Sequence, residues 1–259
     1  MSSPQGHLQR RVILGSAPLR RAPGDTAPLD TQLLFGEIFS VHSEQDGWAL
    51  GQAALDHYRG YTPVSALGPI GPMPTHTICV PRTFVYRDAD IKSPPLMWLS
   101  MNSKLSINIQ TERFSRIEDL GWVYSAHMAP VGAHAADFVS VAEEFLGVPY
   151  LWGGRDSLGM DCSGLLQTAM QRAGLICPRD SYQQAELGEA LPNCLTSLRR
   201  GDLIFWKGHA GMMRDAGVLL HANAHHMQVV REPLAVAVAR IAASGLDVTG
   251  IRRLPELGG

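Results

Sequence analysis

Cysteine is scarce in this chain: 259 residues contain only Cys79, Cys162, Cys177 and Cys194. Four thiols in that length do not make a disulfide framework and fit a reduced compartment. An excess of charge of one sign is also missing. Lys plus Arg number 22 against 24 Asp plus Glu, a formal net charge of -2. No basic run is clustered, so the electrostatic footprint of a nucleic-acid binder is absent. Nowhere do roughly 18 apolar residues run together, which excludes an obvious transmembrane helix. From Met1 to Arg21 there are basic residues but no apolar core of signal-peptide length, because Val12-Ile13-Leu14 runs into Gly15 and Pro18. A cytoplasmic protein with no membrane partner is the expectation. Neither a Cys-x-x-Cys pair nor a His-Glu-x-x-His helix occurs, so no metal and no cofactor is expected, and His225 and His226 are read as turn residues.

What is present is an ordinary globular composition, 45% hydrophobic and 18% charged, in a length that allows two or three units. The N-terminal half reads as two copies of one all-β plan. The first has a strand-like Leu33 to Val41, then Trp48-Ala49-Leu50, and closes on Gly60-Tyr61-Thr62-Pro63-Val64-Ser65-Ala66-Leu67. The second has Phe84-Val85-Tyr86, Leu96 to Leu99 and Leu105 to Ile109, and closes on Gly121-Trp122-Val123-Tyr124-Ser125-Ala126-His127-Met128. Short β-patterned runs between Gly, Pro and Asp clusters predict small barrels. Gly68-Pro69-Ile70-Gly71-Pro72-Met73-Pro74 is the linker candidate. The expected boundaries are 1–68 and 75–130 for the barrels, and 135–259 for a third unit.

Past Pro130 the texture changes. Ala135 to Leu146 predicts an amphipathic helix stopped by Gly147 and Pro149, and Cys162 to Ala173 predicts a second, stopped by Gly174. Strands are expected at Asp202–Trp206, Gly211–Arg214, Val218–His221, Gln228–Arg231 and Thr249–Leu254. Helices first and antiparallel strands afterwards make an α+β unit.

Cys162 stands apart from the other three thiols, which sit beside apolar residues or prolines with no motif. It follows a glycine-rich loop, Gly153-Gly154 to Gly159, and Asp161, a natural N-cap that puts Cys162 at the first helical position. The positive end of the helix dipole there is expected to favour the thiolate, the reactive form. A nucleophile also needs a base within reach. His209, between two strands, and His221, at the end of the next, are the candidates: His209 as base, His221 fixing its tautomer.

These segments resemble a known family. Tyr150-Leu151-Trp152-Gly153-Gly154, Asp161-Cys162-Ser163-Gly164, Pro178 to Gln184, Gly201-Asp202-Leu203 and His209-Ala210-Gly211 recur in this order in the NlpC family of papain-like cysteine peptidases, over Asp137 to Leu254. The resemblance implies a papain-like C-terminal domain with Cys162 as nucleophile, His209 as base and His221 as third residue. It also implies that Tyr150 and the Cys162 backbone N–H face the oxyanion. The N-terminal barrels resemble the bacterial SH3-like modules of a subgroup similar to γ-D-glutamyl-L-diamino acid endopeptidases. The implied substrate is a murein tripeptide or tetrapeptide with a free N-terminal L-Ala, cut after the D-Glu γ-carbonyl in cell-wall peptide recycling. For the substrate amine the resemblance implies Glu37 and Tyr58 in the first barrel, with Asp161, Ser163 and Ser181 near the same end. Glu37 could instead be a surface charge and Tyr58 a barrel residue. Two rivals are a secreted hydrolase of intact cell wall, and a catalytically dead wall-peptide binder, which the presence of Cys162, His209 and His221 together disfavours.

Overall fold

The computed structural model describes residues 8–255, so the ends of the outer expected boundaries, 1–7 and 256–259, lie outside the described residues. The chain divides after Ala133 into two units. The first unit is all β. A seven-stranded sheet is built from strands between Leu8 and Gly68. Strict alternation drives it: Ser16–Arg20 buries Ala17 and Leu19, and Trp48–Ala53 buries every second residue. Val12, Leu33, Phe39 and Val41 join them in one core, with Tyr58 packed at its side. Strands between His76 and Pro130 form a five-stranded and a three-stranded sheet around Ile78, Val85, Leu99, Leu105, Ile117 and Val123.

The two closing phrases fold alike. Arg59–Pro63 runs into a single 3-10 turn, Val64–Ala66, and then Leu67–Gly68. Gly121–Tyr124, Ser125–His127 and Met128–Pro130 repeat that path. One expectation fails here. Leu33 to Val41 is not one strand but two, Leu29–Leu34 and Ile38–Gln45. Gly36 turns the chain at φ +81°, and a Cβ there would lie 2.2 Å from the Lys104 carbonyl oxygen. The apolar letters on both sides hide a turn that only a glycine fits.

Among the described residues the second unit has four helices, α1 (Phe138–Glu143), α2 (Cys162–Arg172), α3 (Ser181–Gln184) and α4 (Leu234–Ala242). Its six-stranded antiparallel sheet has the order Glu189–Leu191, Val248–Arg253, Leu203–Trp206, His209–Met213, Val218–Asn223, Gln228–Pro233. The α+β expectation holds. The first helix begins later than expected because Asp137 caps it, accepting from Val139 N at 2.9 Å. Two helices went unread. Leu234 to Ala242 spells LAVAVARIA, an alternation of sizes that mimics a strand, yet it buries Leu234, Ala237 and Ile241 at helical spacing. That face packs on Ile204, Trp206, Met213 and Leu219 of the sheet. Among the described residues no helix is long and apolar enough to cross a membrane.

Candidate active site

The loop before α2 is held by one carboxylate. Asp161 Oδ1 accepts from Gly164 N at 2.7 Å, the N-cap bond, and from Ser163 Oγ at 3.3 Å. Its Oδ2 accepts from Gly153 N and from Arg179 Nη2, both at 2.8 Å. An ionised carboxylate offers about four lone-pair positions, and all are filled. Asp161 thus anchors the loop that presents Cys162. Arg179, 2% exposed, also donates to Ser163 Oγ at 2.7 Å. The glycines are there for clearance: a Cβ on Gly164 would sit 2.1 Å from the Gly154 carbonyl oxygen. Gln184 of α3 donates to the Ser163 and Pro178 carbonyls at 3.0 and 2.8 Å, tying half-buried Ser181 to the start of α2.

The histidines come from the sheet. Trp206 pairs with His209 across a two-residue turn whose Gly208 has φ +76°. The Cys162 sulfur accepts a hydrogen bond from the backbone N–H of Ala210, the residue after His209, and α2 packs against that strand, His209–Met213. His209 Nε2 lies 2.8 Å from His221 Nδ1. Gly211 makes that reach possible, because a Cβ there would meet the His221 Cβ at 3.3 Å and a Leu219 methyl at 2.9 Å. Two residues along a strand share one face, so a side chain at 211, on the His209 side, would crowd Leu219 and the base of the His221 side chain.

The charge state departs from the expected thiolate. Burial, then the negative charge of Asp161, push the Cys162 thiol up to about 11, although the Ala210 and Ser163 backbone N–H groups and Arg179 oppose this. Burial, then His221 and Arg240, push His209 down to about 3 against the pull of Glu232. The resting pair is a neutral thiol beside a neutral imidazole. Tyr150, half-buried, has its phenol pushed up by burial and by the charges of Cys162 and Asp161. It stays a neutral hydrogen-bond donor beside the thiol.

Beyond the expected residues, the structure adds two. Glu232 Oε1 lies 2.8 Å from His221 Nε2, and Arg240 of α4 donates to the same oxygen. Glu37 in the first unit is 2% exposed and its Oε2 accepts from Leu34 N at 3.0 Å, so it is not a surface charge. A cavity of about 410 Å³ beside Phe138, Arg200 and Arg253 includes none of Cys162, His209 or His221 in its lining.

Comparison with known proteins gives the family and the fold. The family model described as "NlpC/P60 family" matches residues 147–239, and that described as "Bacterial dipeptidyl-peptidase Sh3 domain" matches residues 19–67. Over 215 residues the chain is 30% identical to the gamma-D-glutamyl-L-lysine dipeptidyl-peptidase of Bacillus subtilis (strain 168), covering 75% of this chain and 72% of that one. It is 36% identical over 94 residues to the gamma-DL-glutamyl hydrolase of the same organism, covering 33% of this chain and 22% of that protein. The crystal structure of an NlpC/P60 family protein from Bacillus cereus superposes with a TM-score of 0.82 at 22% identity, over 95% of this chain and 100% of that one, a likeness of fold.

Proposed function

From the premise that this chain belongs to the NlpC/P60 family of peptidases, with a bacterial dipeptidyl-peptidase SH3 domain ahead of the catalytic fold, we propose that it is a cysteine peptidase cleaving the γ-D-Glu to diamino acid bond of murein peptides with a free N-terminal L-Ala. The observation that carries the chemistry is the buried Cys162 thiol bonded to Ala210 N–H on the strand that carries His209, whose ring is paired with His221. The substrate class is supported by the relative named for γ-D-glutamyl-L-lysine peptides.

His209 Nε2 is engaged with His221, so Nδ1 is the nitrogen left to take the Cys162 proton. With the thiol up at about 11 and the imidazole down at about 3, proton transfer accompanies attack on the γ-carbonyl rather than preceding it. The sulfur–carbon bond forms, and the oxyanion falls to the Cys162 backbone N–H and the neutral Tyr150 hydroxyl. Collapse expels the diamino acid amine, which takes its proton from His209, and water then hydrolyses the thioester.

The free-amine requirement has a direct test. L-Ala-γ-D-Glu-diaminopimelate, incubated with the protein and analysed by mass spectrometry, is expected to give L-Ala-D-Glu and free diaminopimelate. Acetylating the alanine nitrogen should lower kcat/KM about 100-fold, the order of a buried polar group left without its partner. Equal cleavage of both peptides would remove the amine from the proposal. Faster release of products from intact sacculi than from the soluble tripeptide would favour a wall hydrolase over a recycling enzyme.

Asp161, Ser163 and Ser181 in the second unit, and Glu37 and Tyr58 in the first, are the substrate-binding residues of this proposal. Glu37→Gln and Tyr58→Phe are each expected to raise KM for the free-amine tripeptide about tenfold, the order of one lost charged or polar contact. Alkylation of Cys162 by iodoacetamide should proceed at the wild-type rate in both. An unchanged KM in both variants would leave the two residues as parts of the first barrel.

A further inference from the structure

A histidine as third residue orients its neighbour but carries no fixed negative charge to support it. The structure supplies that charge one residue further on. Glu232, on strand Gln228–Pro233, sits diagonal to His221 on the neighbouring strand, opposite Leu219, with Oε1 2.8 Å from His221 Nε2, and Arg240 of α4 donates to the same oxygen. His221 and Glu232 are packed, being 1% and 8% exposed, while Arg240 is partly exposed. This carboxylate is not a surface ion pair.

We propose that Glu232, clamped by Arg240, is a positioning residue that fixes the proton pattern of the whole histidine pair. The reasoning is a chain of donors and acceptors. An ionised carboxylate can only accept, so His221 Nε2 carries the proton toward Glu232. A neutral His221 then presents a bare Nδ1, which accepts from His209 Nε2–H at 2.8 Å. His209 is left with its proton on Nε2 and a lone pair on Nδ1, the state a general base needs. Reversing the first link reverses every other, and His209 Nδ1 would then carry a proton and could not take one.

Two neighbouring groups bear on the first link. Asn223 Nδ2 lies 2.9 Å from the same His221 Nε2, and Asn223 Oδ1 is held by the His226 backbone N–H at 2.8 Å. Asn223 therefore offers only a donor, and were it to donate, Glu232 would face a lone pair. The charge balance opposes that arrangement: burial alone would raise Glu232, but His221 and Arg240 outweigh it and hold the carboxyl down at about 2. The ionisable groups acting on the histidine pair are Glu232, which favours the imidazolium, and Arg240 and His226, which oppose it. When His209 takes the thiol proton, its positive charge is supported through His221 by Glu232.

This inference rests on the cysteine-peptidase reading, and its test does not use turnover alone. Histidine 15N NMR of the intact protein is expected to show Nε2–H tautomers at both His209 and His221. Glu232→Gln removes the charge and can present an amide N–H to His221; it should mix in Nδ1–H tautomers and cut kcat about 100-fold, within the range of general-base catalysis, with KM changed less than about threefold. Glu232→Asp should recover part of the loss. The His209 titration midpoint should move down in Glu232→Gln and up in Arg240→Met, because the carboxylate favours the imidazolium and the guanidinium disfavours it. Arg240→Met keeps the test open if Glu232→Gln does not fold. An Nδ1–H tautomer at His221 in the wild-type protein, or two midpoints that do not move in opposite directions, overturns the proposal. A fully active Cys162→Ala protein would instead sink the cysteine-peptidase reading, whatever the histidine tautomers prove to be.

Discussion

Replacing Cys162 by alanine is expected to reduce hydrolysis of the tripeptide by about 10⁶-fold, the scale on which a nucleophile is lost from a catalytic group. The fold should survive, because the change deletes one sulfur atom from a side chain that is 6% exposed and leaves α2 its Asp161 cap. His209→Ala should cost nearly as much. The double variant should be no worse than either single one, since residues that act as a unit lose their effect together. Product formation followed by mass spectrometry, beside thermal unfolding of each variant, measures both claims. A folded Cys162→Ala protein within tenfold of wild-type turnover would place the chemistry elsewhere in the molecule.

That expectation could be written from the sequence because the nucleophile helix is punctuated there. Asp161 before Cys162, and Gly174 after Ala173 at φ +78°, are local signals that need no tertiary contact to be read. The histidine pair was legible for a similar reason, since Gly208 and Gly211 mark the turn and the clearance that bring the rings together. The partners of that pair were not. Glu232 and Arg240 belong to a strand and to a helix, and that helix is spelled in alternating Leu, Ala and Val that give no helical stripe until the sheet beneath it is known. Gly36 was hidden within an apolar run in the same way.

The charge state was the larger miss. A helix start argues for a thiolate, and it does so correctly as far as the dipole goes. What the sequence does not display is the depth of burial around Cys162, the largest effect raising the thiol; the Asp161 charge, adjacent in sequence, adds to it. The same carboxylate that builds the nucleophile loop thus works against its ionisation. Arg179 relieves part of that conflict.

Removing the anchor should therefore cost more stability than any single contact in the loop suggests. Asp161→Ala deletes the α2 cap, about 1 kcal/mol, and leaves the Arg179 guanidinium buried without its ion-pair partner, about 3–5 kcal/mol by itself. Arg179 keeps Ser163 Oγ at 2.7 Å, the Gly154 carbonyl at 3.4 Å and the nearby charge of Asp180, which places the cost at the lower end of that range. Arg179→Met should cost less, because Asp161 keeps the Gly153, Gly164 and Ser163 donors. Adding Arg179→Met to Asp161→Ala should recover part of the loss, since the stranded charge is then gone. Urea unfolding of the three variants measures this, and a loss below about 1 kcal/mol for Asp161→Ala would mean that the pair is not buried as described. The Arg179→Met protein also separates anchoring from chemistry. Its Asp161 charge is no longer neutralised, so the Cys162 thiol moves further up and alkylation at a fixed alkaline pH slows, even where the variant is fully folded. Stability lost through Asp161 and thiol reactivity lost through Arg179 are two readings of one ion pair, which holds the loop only by placing a negative charge against the sulfur it presents.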